Sequence, residues 1–206
     1  MGSLPASAEQ FGSRLLGGSE SHGRGHGKAV TQASCTALLV PAPEVAFIQP
    51  FRAAHNSLLA ANKPPHLTVL ASFLAPSRID EQVLLDLEQA VASCPQSRFR
   101  LERTGCFPDA CILFLVPEPA YPFLLLGRAI QSKFPAVKPE FAHPVMHLTL
   151  ARGMKEERFT FKGDLYCQCG SQLPVEVVAT RVWLYETCGD RWHERASHLL
   201  CQHPAP

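Results

Sequence analysis

Long hydrophobic runs are missing from this sequence of 206 residues, and so is an excess of charge of either sign. No run approaches the roughly 20 consecutive apolar residues that a membrane-spanning helix requires. The formal net charge of +1 provides no broad attraction to nucleic acid or to an anionic membrane, so any recognition of phosphate has to be local. Hydrophobic residues make up 46% of the chain, which predicts a globular protein with a sizeable core.

Several targeting and catalytic motifs are also missing. There is no apolar signal segment at the N-terminus, no P-loop and no GxSxG nucleophile elbow. We therefore expect a cytoplasmic protein with no membrane partner. The eight cysteines then serve mainly as small hydrophobic residues, since several of them lie within or beside apolar runs.

Paired CxxC motifs are absent as well, and Cys167 and Cys169 are the one close cysteine pair. This pair lacks zinc-binding partners at the usual spacing, so we predict neither a metal nor any other cofactor. A structural zinc protein that uses this pair and nearby histidines is the alternative.

The N-terminal segment differs from the rest of the chain. Residues 1–32 are rich in Gly, Ser and Ala and show neither helical nor strand periodicity, which predicts a disordered tail. We predict that residues 33–206 form a single domain.

In that domain, one order of predicted elements occurs twice. Each half has an apolar strand, a helix, a strand containing the tripeptide His-Leu-Thr, a less regular or helical segment, and a further strand. In the first half these are a strand at Cys35–Val40, a helix within Glu44–Leu59 that Pro50 kinks or shortens, the segment 65–70, a helix from Ser77 or Asp80 to about Cys94, and a strand at Ser97–Phe107. In the second half they are a strand at Cys111–Val116, a helix at Tyr121–Phe134, the segment 146–151, the weakly patterned segment Glu156–Leu173, and strands at Val175–Tyr185 and near Trp192–Cys201.

The repeated order predicts two lobes related by a pseudo-twofold axis. Side chains alternate between the two faces of a strand, so the His and the Thr of each tripeptide point to the same side. A single His-Leu-Thr tripeptide is typical of an ordinary edge strand. Two copies at matching places predict instead that His66 and His147 face each other across a cleft, each beside a threonine, Thr68 or Thr149.

Two histidines that face one bound group suit general acid–base catalysis, because imidazole titrates near neutral pH. In a phosphodiester cleavage, a neutral histidine takes a proton from the attacking hydroxyl or water, and a protonated one gives a proton to the leaving oxygen. The threonine hydroxyls can donate hydrogen bonds to the non-bridging oxygens. Arg152, three residues beyond Thr149, can add a fixed positive charge, and the scheme needs no metal.

These paired motifs resemble those of the 2H phosphoesterase superfamily, and in particular its 2′-5′ RNA ligase-like branch of RNA 2′,3′-cyclic phosphodiesterases. The likeness extends over about residues 34–202 and includes the segment 147–152 (HLTLAR), the strand Val182–Tyr185 and Trp192. It implies a bilobal α+β fold with antiparallel sheets around a central cleft. It also implies metal-independent cleavage of 2′,3′-cyclic phosphates or 2′-5′ linkages, with reversible ligation in some members.

Carried over to this chain, the resemblance implies site residues and partners. His66 and His147 become the acid–base pair, Thr68 and Thr149 bind phosphate, and Arg152 matches an arginine of the bacterial type. The expected partner is an RNA end or a nucleotide that carries a cyclic phosphate or a 2′-5′ linkage, and we expect the protein to be a monomer.

Several alternatives stay open at the level of sequence. Phe107 falls where members of the resembled family carry an aromatic residue after a strand, so it is either a base-stacking residue or, as we favour, a core residue. Trp183 and Trp192 lie in the closing strands, where packing is their default role. Which histidine is the acid and which the base is undetermined, and a module that binds nucleotides or RNA ends without catalysis would carry the same residues.

Overall fold

The computed structural model describes residues 35–55, 63–138, 143–152, 165, 169–188 and 191–202. The predicted tail and most of the segment 156–173, with Cys167, lie outside these residues. Within them, strands and helices alternate along the chain. The strands are β1 (Thr36–Pro41), β2 (His66–Leu70), β3 (Ser97–Phe107), β4 (Ile112–Glu118), β5 (Leu148–Arg152), β6 (Val175–Ala179), β7 (Arg181–Cys188) and β8 (Arg191–Leu199). The α-helices are α1 (Gln49–His55), α2 (Glu81–Ala92) and α3 (Tyr121–Lys133), and short 3-10 helices occupy Pro43–Ile48, Pro76–Arg78 and Gly170–Gln172.

The strands form two four-stranded sheets in which every pairing is antiparallel. The first sheet has the order β2-β1-β7-β8 and the second has the order β5-β4-β3-β6. In each sheet a His-Leu-Thr strand lies at the edge, next to the apolar strand that begins its half of the chain. This arrangement confirms the predicted bilobal α+β fold with antiparallel sheets.

The boundary between the lobes does not follow the boundary between the two halves of the sequence. Strand β3 belongs to the first half of the chain but lies between β4 and β6 in the second sheet, while β7 and β8 return to the first sheet. The prediction of one strand over Val175–Tyr185 was therefore wrong. The chain leaves one sheet and enters the other at Thr180, whose carbonyl accepts a hydrogen bond from the amide of Leu200.

Local sequence explains where the helices begin. Pro50 lies at the second residue of α1, in the first turn, where a backbone amide has no acceptor within the helix. The residues before it form a 3-10 helix, so the predicted single helix is divided. Asp80 caps α2, because its Oδ1 accepts a hydrogen bond of 2.9 Å from the amide of Val83.

One hydrophobic core joins the two sheets and the helices. It contains Leu38 of β1 and Leu113 of β4, and in it the rings of Phe99 and Phe123 meet edge to face with centroids 5.0 Å apart. The opposite face of the first sheet carries a small separate cluster, which we call the cleft-side cluster. It consists of Ala37, Leu39 and Tyr185, with Trp183 and Trp192 packed against it. In the part of the chain that the structure describes, no helix is both long and apolar enough to cross a membrane.

Side chains on the core-facing side of the His-Leu-Thr strands should be sensitive to replacement by alanine. Leu148 is 0% exposed, so we expect Leu148→Ala to lower the free energy of unfolding by about 2–5 kcal/mol, since it removes buried methyl groups and leaves a cavity. Leu125 is 52% exposed, and the same substitution there should change stability by no more than about 0.5 kcal/mol. Urea denaturation measures both values, and equal effects would contradict the described burial.

Candidate active site

The two edge strands that carry the tripeptides lie against each other where the sheets meet. Leu67 and Leu148 are fully buried in the core. The residues on either side of them are half-buried and lie on the other face, as the alternation of a strand predicts: these are His66, Thr68, His147 and Thr149.

Each tripeptide is followed at once by a β-bulge. In β2, Thr68 lies opposite Leu39 and Leu70 lies opposite Leu38, so that Val69 is the extra residue. The bulge interrupts the edge strand directly after the threonine.

The second sheet repeats this bulge at the matching position. Thr149 lies opposite Phe114 and Ala151 lies opposite Leu113, so that Leu150 is the extra residue of β5. The two edge strands are thus alike in backbone irregularity as well as in sequence.

The bulge in β5 decides where Arg152 points. In a regular strand, residues three apart lie on opposite faces. In the neighbouring strand β4, Ile112 lies opposite Arg152 and Phe114 lies opposite Thr149. Ile112 and Phe114 are two residues apart and therefore share a face. The bulge thus places Arg152 on the same face as Thr149. The spacing of this arginine is visible in the sequence, but the bulge is not.

Both histidines are held by the same hydrogen bond. Nδ1 of His66 lies 2.7 Å from the carbonyl oxygen of Pro64, and Nδ1 of His147 lies 2.7 Å from the carbonyl oxygen of Val145. A carbonyl can only accept, so each Nδ1 carries the proton and donates it. In the neutral imidazole the unprotonated nitrogen is then Nε2 on both sides, and this is the nitrogen that can take a proton from a bound group.

Burial and the surrounding positive charges disfavour the protonated form of His66. Burial, together with the positive charges of Lys63, Arg52 and His147, lowers the pKa of His66 to about 3, and the hydrogen bond to Pro64 offsets only part of this effect.

His147 has different neighbours. Burial and the charge of Arg152 lower its pKa, while its hydrogen bond to Val145 acts in the opposite direction. Its ring centroid lies 5.1 Å from that of Phe107, in an edge-to-face contact, and 5.1 Å from that of Phe114. Phe107 is half-buried and therefore packs beside this histidine; whether it also stacks on a base stays a prediction.

Gly105 makes room for this packing. A Cβ atom added at Gly105 would lie 2.3 Å from Cε2 of Phe114, which is far closer than real contacts allow. The bare glycine backbone therefore lets the Phe114 ring lie flat against β3 and support the ring of His147. Nothing in the sequence distinguishes this glycine from a turn residue.

The remaining polar groups of the site have few internal partners. In the described part of the chain, the hydroxyls of Thr68 and Thr149 make no hydrogen bond. Among the described residues the buried Nε atom of Arg152 has no hydrogen-bond partner, and burial lowers the pKa of the guanidinium. Two such hydroxyls and a guanidinium with an unsatisfied Nε suit an anion that bridges the two strands.

Sequence reasoning missed two further cations in this region. Arg52 is 1% exposed and Lys63 is 7% exposed, and both charges act on His66. Lys63 precedes the first tripeptide by three residues, but a lysine between helix and strand carries no signal that predicts burial.

The described residues also show whether side chains group as a metal site would require. Across the described residues, no group of three or more His, Cys, Asp or Glu side chains could hold a metal ion. Cys169 is buried with a free thiol, while Cys167 lies outside the described residues, so the predicted alternative of a zinc site at this pair stays untested.

Comparison with known proteins agrees with the two-lobed fold. The sequence model of the 2′-5′ RNA ligase superfamily matches residues 40–191, so the chain belongs to this superfamily, which confirms the resemblance to 2H phosphoesterases. No curated protein matches the sequence.

Solved structures share the fold at low sequence identity. E. coli LigT complexed with phosphate is 16% identical, with a TM-score of 0.52 over 82% of this chain and 98% of LigT. E. coli LigT complexed with 3′-AMP is also 16% identical, with a TM-score of 0.50 over 83% of this chain and 100% of LigT. TT0787 of Thermus thermophilus is 15% identical, with a TM-score of 0.50 over 82% of this chain and 100% of TT0787.

The titration of the two histidines can be measured directly. Because burial and neighbouring cations lower both pKa values, we expect the imidazole of His147 to titrate below pH 6.5 in the folded protein and that of His66 to titrate near 3. In urea the same side chains should titrate near 6.5. The unfolded chain then binds more protons, so these histidines stabilise the fold above pH 6.5 and lose that contribution as the pH falls toward the folded pKa. Nitrogen-15 NMR of the imidazoles provides the measurement, and ordinary pKa values in the folded protein would contradict the site.

The support of His147 by Phe114 predicts a selective effect of Gly105→Ala. The new methyl group has to displace the Phe114 ring, so the imidazole signals of His147 should shift while those of His66 stay in place. Gly127→Ala is the control, because a Cβ there would meet Cγ1 of Val69 at an ordinary 3.5 Å. Unchanged His147 signals in Gly105→Ala would show that the aromatic contact does not position the ring.

Proposed function

We propose that the protein is a metal-independent phosphodiesterase that hydrolyses 2′,3′-cyclic phosphates or 2′-5′ phosphodiester bonds in RNA or nucleotides. The observation that carries the proposal is the matched pair of histidines, in which each Nδ1 donates to a carbonyl and Nε2 is the nitrogen that can accept a proton. Membership of the 2′-5′ RNA ligase superfamily supports it, and LigT structures of the same fold hold phosphate or 3′-AMP.

The reaction requires one histidine to accept a proton and the other to donate one. In the hydrolysis of a 2′,3′-cyclic phosphate, the base removes a proton from water as its oxygen forms a bond to phosphorus. The bond from phosphorus to one ribose oxygen breaks, and the acid protonates that oxygen. The bound phosphate is negatively charged and raises the pKa of the acid, which allows it to hold its proton in the complex.

We assign the base to His66 and the acid to His147. The charges of Lys63 and Arg52 add to burial in keeping His66 neutral, as a base must be before the reaction. His147 has Arg152 as its cationic neighbour, and that guanidinium would be neutralised by the phosphate it binds. Binding of the phosphate should therefore raise the pKa of His147.

The other residues would hold the phosphate oxygens. Thr68 and Thr149 each offer a hydroxyl without a partner among the described residues, and Arg152 offers a half-buried guanidinium, whose Nε is buried, on the face of Thr149. Donors fixed in a partly desolvated site stabilise the charge that develops in the transition state. The lobes contribute unequally, since Ala71 takes the place of Arg152 in the first half.

Substitution of either histidine tests the mechanism. In the presence of a chelator, we expect wild-type protein to hydrolyse nucleoside 2′,3′-cyclic phosphates and His66→Ala and His147→Ala each to lower kcat about 10²–10⁴-fold, the usual contribution of a general acid or base. His193→Ala, on the exposed part of β8, should keep full activity.

Three results would argue against the enzyme. Activity that survives both histidine substitutions would contradict the assignment of these residues as an acid–base pair. Loss of activity in the presence of the chelator would contradict a metal-independent mechanism. Stoichiometric nucleotide binding with no product over long incubation would indicate the alternative, a non-catalytic nucleotide or RNA-end binding module.

The assignment of the base predicts a pH effect of Lys63→Met. Removing this positive charge stabilises the imidazolium of His66 and raises its pKa. The acidic limb of the profile of kcat/KM against pH, which reports protonation of the base, should therefore move to higher pH. A shift of the alkaline limb alone would assign the base to His147 instead.

A further inference from the structure

Beside the site described above lies a buried pair of cations that the proposed reaction does not use as ligands. Lys63 is 7% exposed, and its Nζ lies 3.0 Å from the centroid of the Trp192 ring. Arg52 is 1% exposed, and its Nη1 donates a hydrogen bond of 3.1 Å to the carbonyl oxygen of Lys63. The lysine is thus fixed at its backbone by Arg52 and at its ammonium group by Trp192.

This pair lies on the cleft side of the first sheet. Trp192 packs against the cleft-side cluster, which includes Leu39. Leu39 lies directly opposite Thr68, and residues opposite each other in a sheet share a face. Lys63 is therefore on the same face as the first tripeptide, and its charge acts on His66.

Among the described residues, the positive charge of the pair is not balanced by carboxylates. Neither Lys63 nor Arg52 forms an ion pair with an Asp or Glu in that part of the chain, and Nε of Arg52 is buried without a partner there. Glu194 shares this sheet face but is exposed and interacts with Tyr185. Buried cations without a compensating charge are costly, and a bound anion would supply that charge.

Burial is the main influence on the charge of Lys63 and lowers its pKa to about 7. The charge of Arg52 acts in the same direction, and a negative charge at Cys35 would act in the opposite one. The ammonium is thus charged at slightly acid pH and would be held charged at higher pH by an anion bound next to it.

We propose that Lys63, seated on Trp192 and backed by Arg52, binds a second phosphate, the one adjacent to the phosphate held between the two tripeptides. This rests on the proposed function, and it makes the preferred substrate an oligonucleotide end rather than a mononucleoside cyclic phosphate. An aromatic ring beneath a cation on a cleft wall is also a common platform for a nucleic acid strand.

Binding of two matched ligands tests the proposal without turnover. Both ligands consist of two adenosines joined by one linkage and carry a terminal 3′-phosphate. The linkage, which corresponds to the second phosphate, is a charged phosphodiester in one ligand and an uncharged methylphosphonate in the other. By calorimetry at about pH 6, where Lys63 is charged, wild-type protein should bind the phosphodiester about tenfold more tightly, as expected of one charge-assisted contact.

Variants of Lys63 should remove or restore this preference. Lys63→Met should bring the ratio of the two affinities close to one, and Lys63→Arg should keep it. Lys133→Met is the matched control, because Lys133 pairs with Asp86 on the surface between α2 and α3, and it should keep the wild-type ratio.

The pH dependence of wild-type protein supplies a test that needs no variant to fold. The phosphodiester has a constant charge over this range, so its advantage should weaken as the pH rises above the pKa of Lys63. Equal affinities of wild-type protein for the two ligands, or an undiminished preference in folded Lys63→Met, would overturn the proposal. A clear preference without hydrolysis of any cyclic phosphate would uphold the second phosphate site and reject the phosphodiesterase.

Discussion

The hydrogen bond from each histidine Nδ1 to a carbonyl two residues earlier is the constraint on which the site depends. It fixes the tautomer and the ring direction, and it leaves both Nε2 atoms unprotonated. The bond works because the residues after each histidine are anchored: Leu67 and Leu148 lie fully in the core. Edge strands β2 and β5 then meet with both histidine rings held by these hydrogen bonds.

The two halves are alike in backbone and unlike in surroundings. Both edge strands have a bulge directly after the threonine, yet only the bulge of β5 directs an arginine to the threonine face. The second histidine has aromatic rings at its side, while the first has Lys63 and Arg52. Similar edge strands thus have unequal surroundings, and the function we propose uses this difference: His66 would act as the neutral base, and the side of His147 and Arg152 would hold the anion and the acid.

Sequence patterns predicted most of the fold because the signals were local. Alternation placed His66 and Thr68 on one face, and Asp80 was recognisable as a helix cap. The crossing of β3 to the second sheet and the break at Thr180 depend on long-range pairing, which local patterns do not contain. The bulge that turns Arg152, the space at Gly105 and the burial of Lys63 likewise arise only when distant strands come together.

The central claim is that both tripeptides act on one phosphate. The most direct measurement follows the imidazole nitrogen-15 signals of His66 and His147 during a titration with a nucleoside 3′-phosphate. Our account predicts that both Nε2 signals move toward their hydrogen-bonded or protonated positions with a single dissociation constant, and that His193 does not respond. Movement of one histidine alone, or two different dissociation constants, would contradict it.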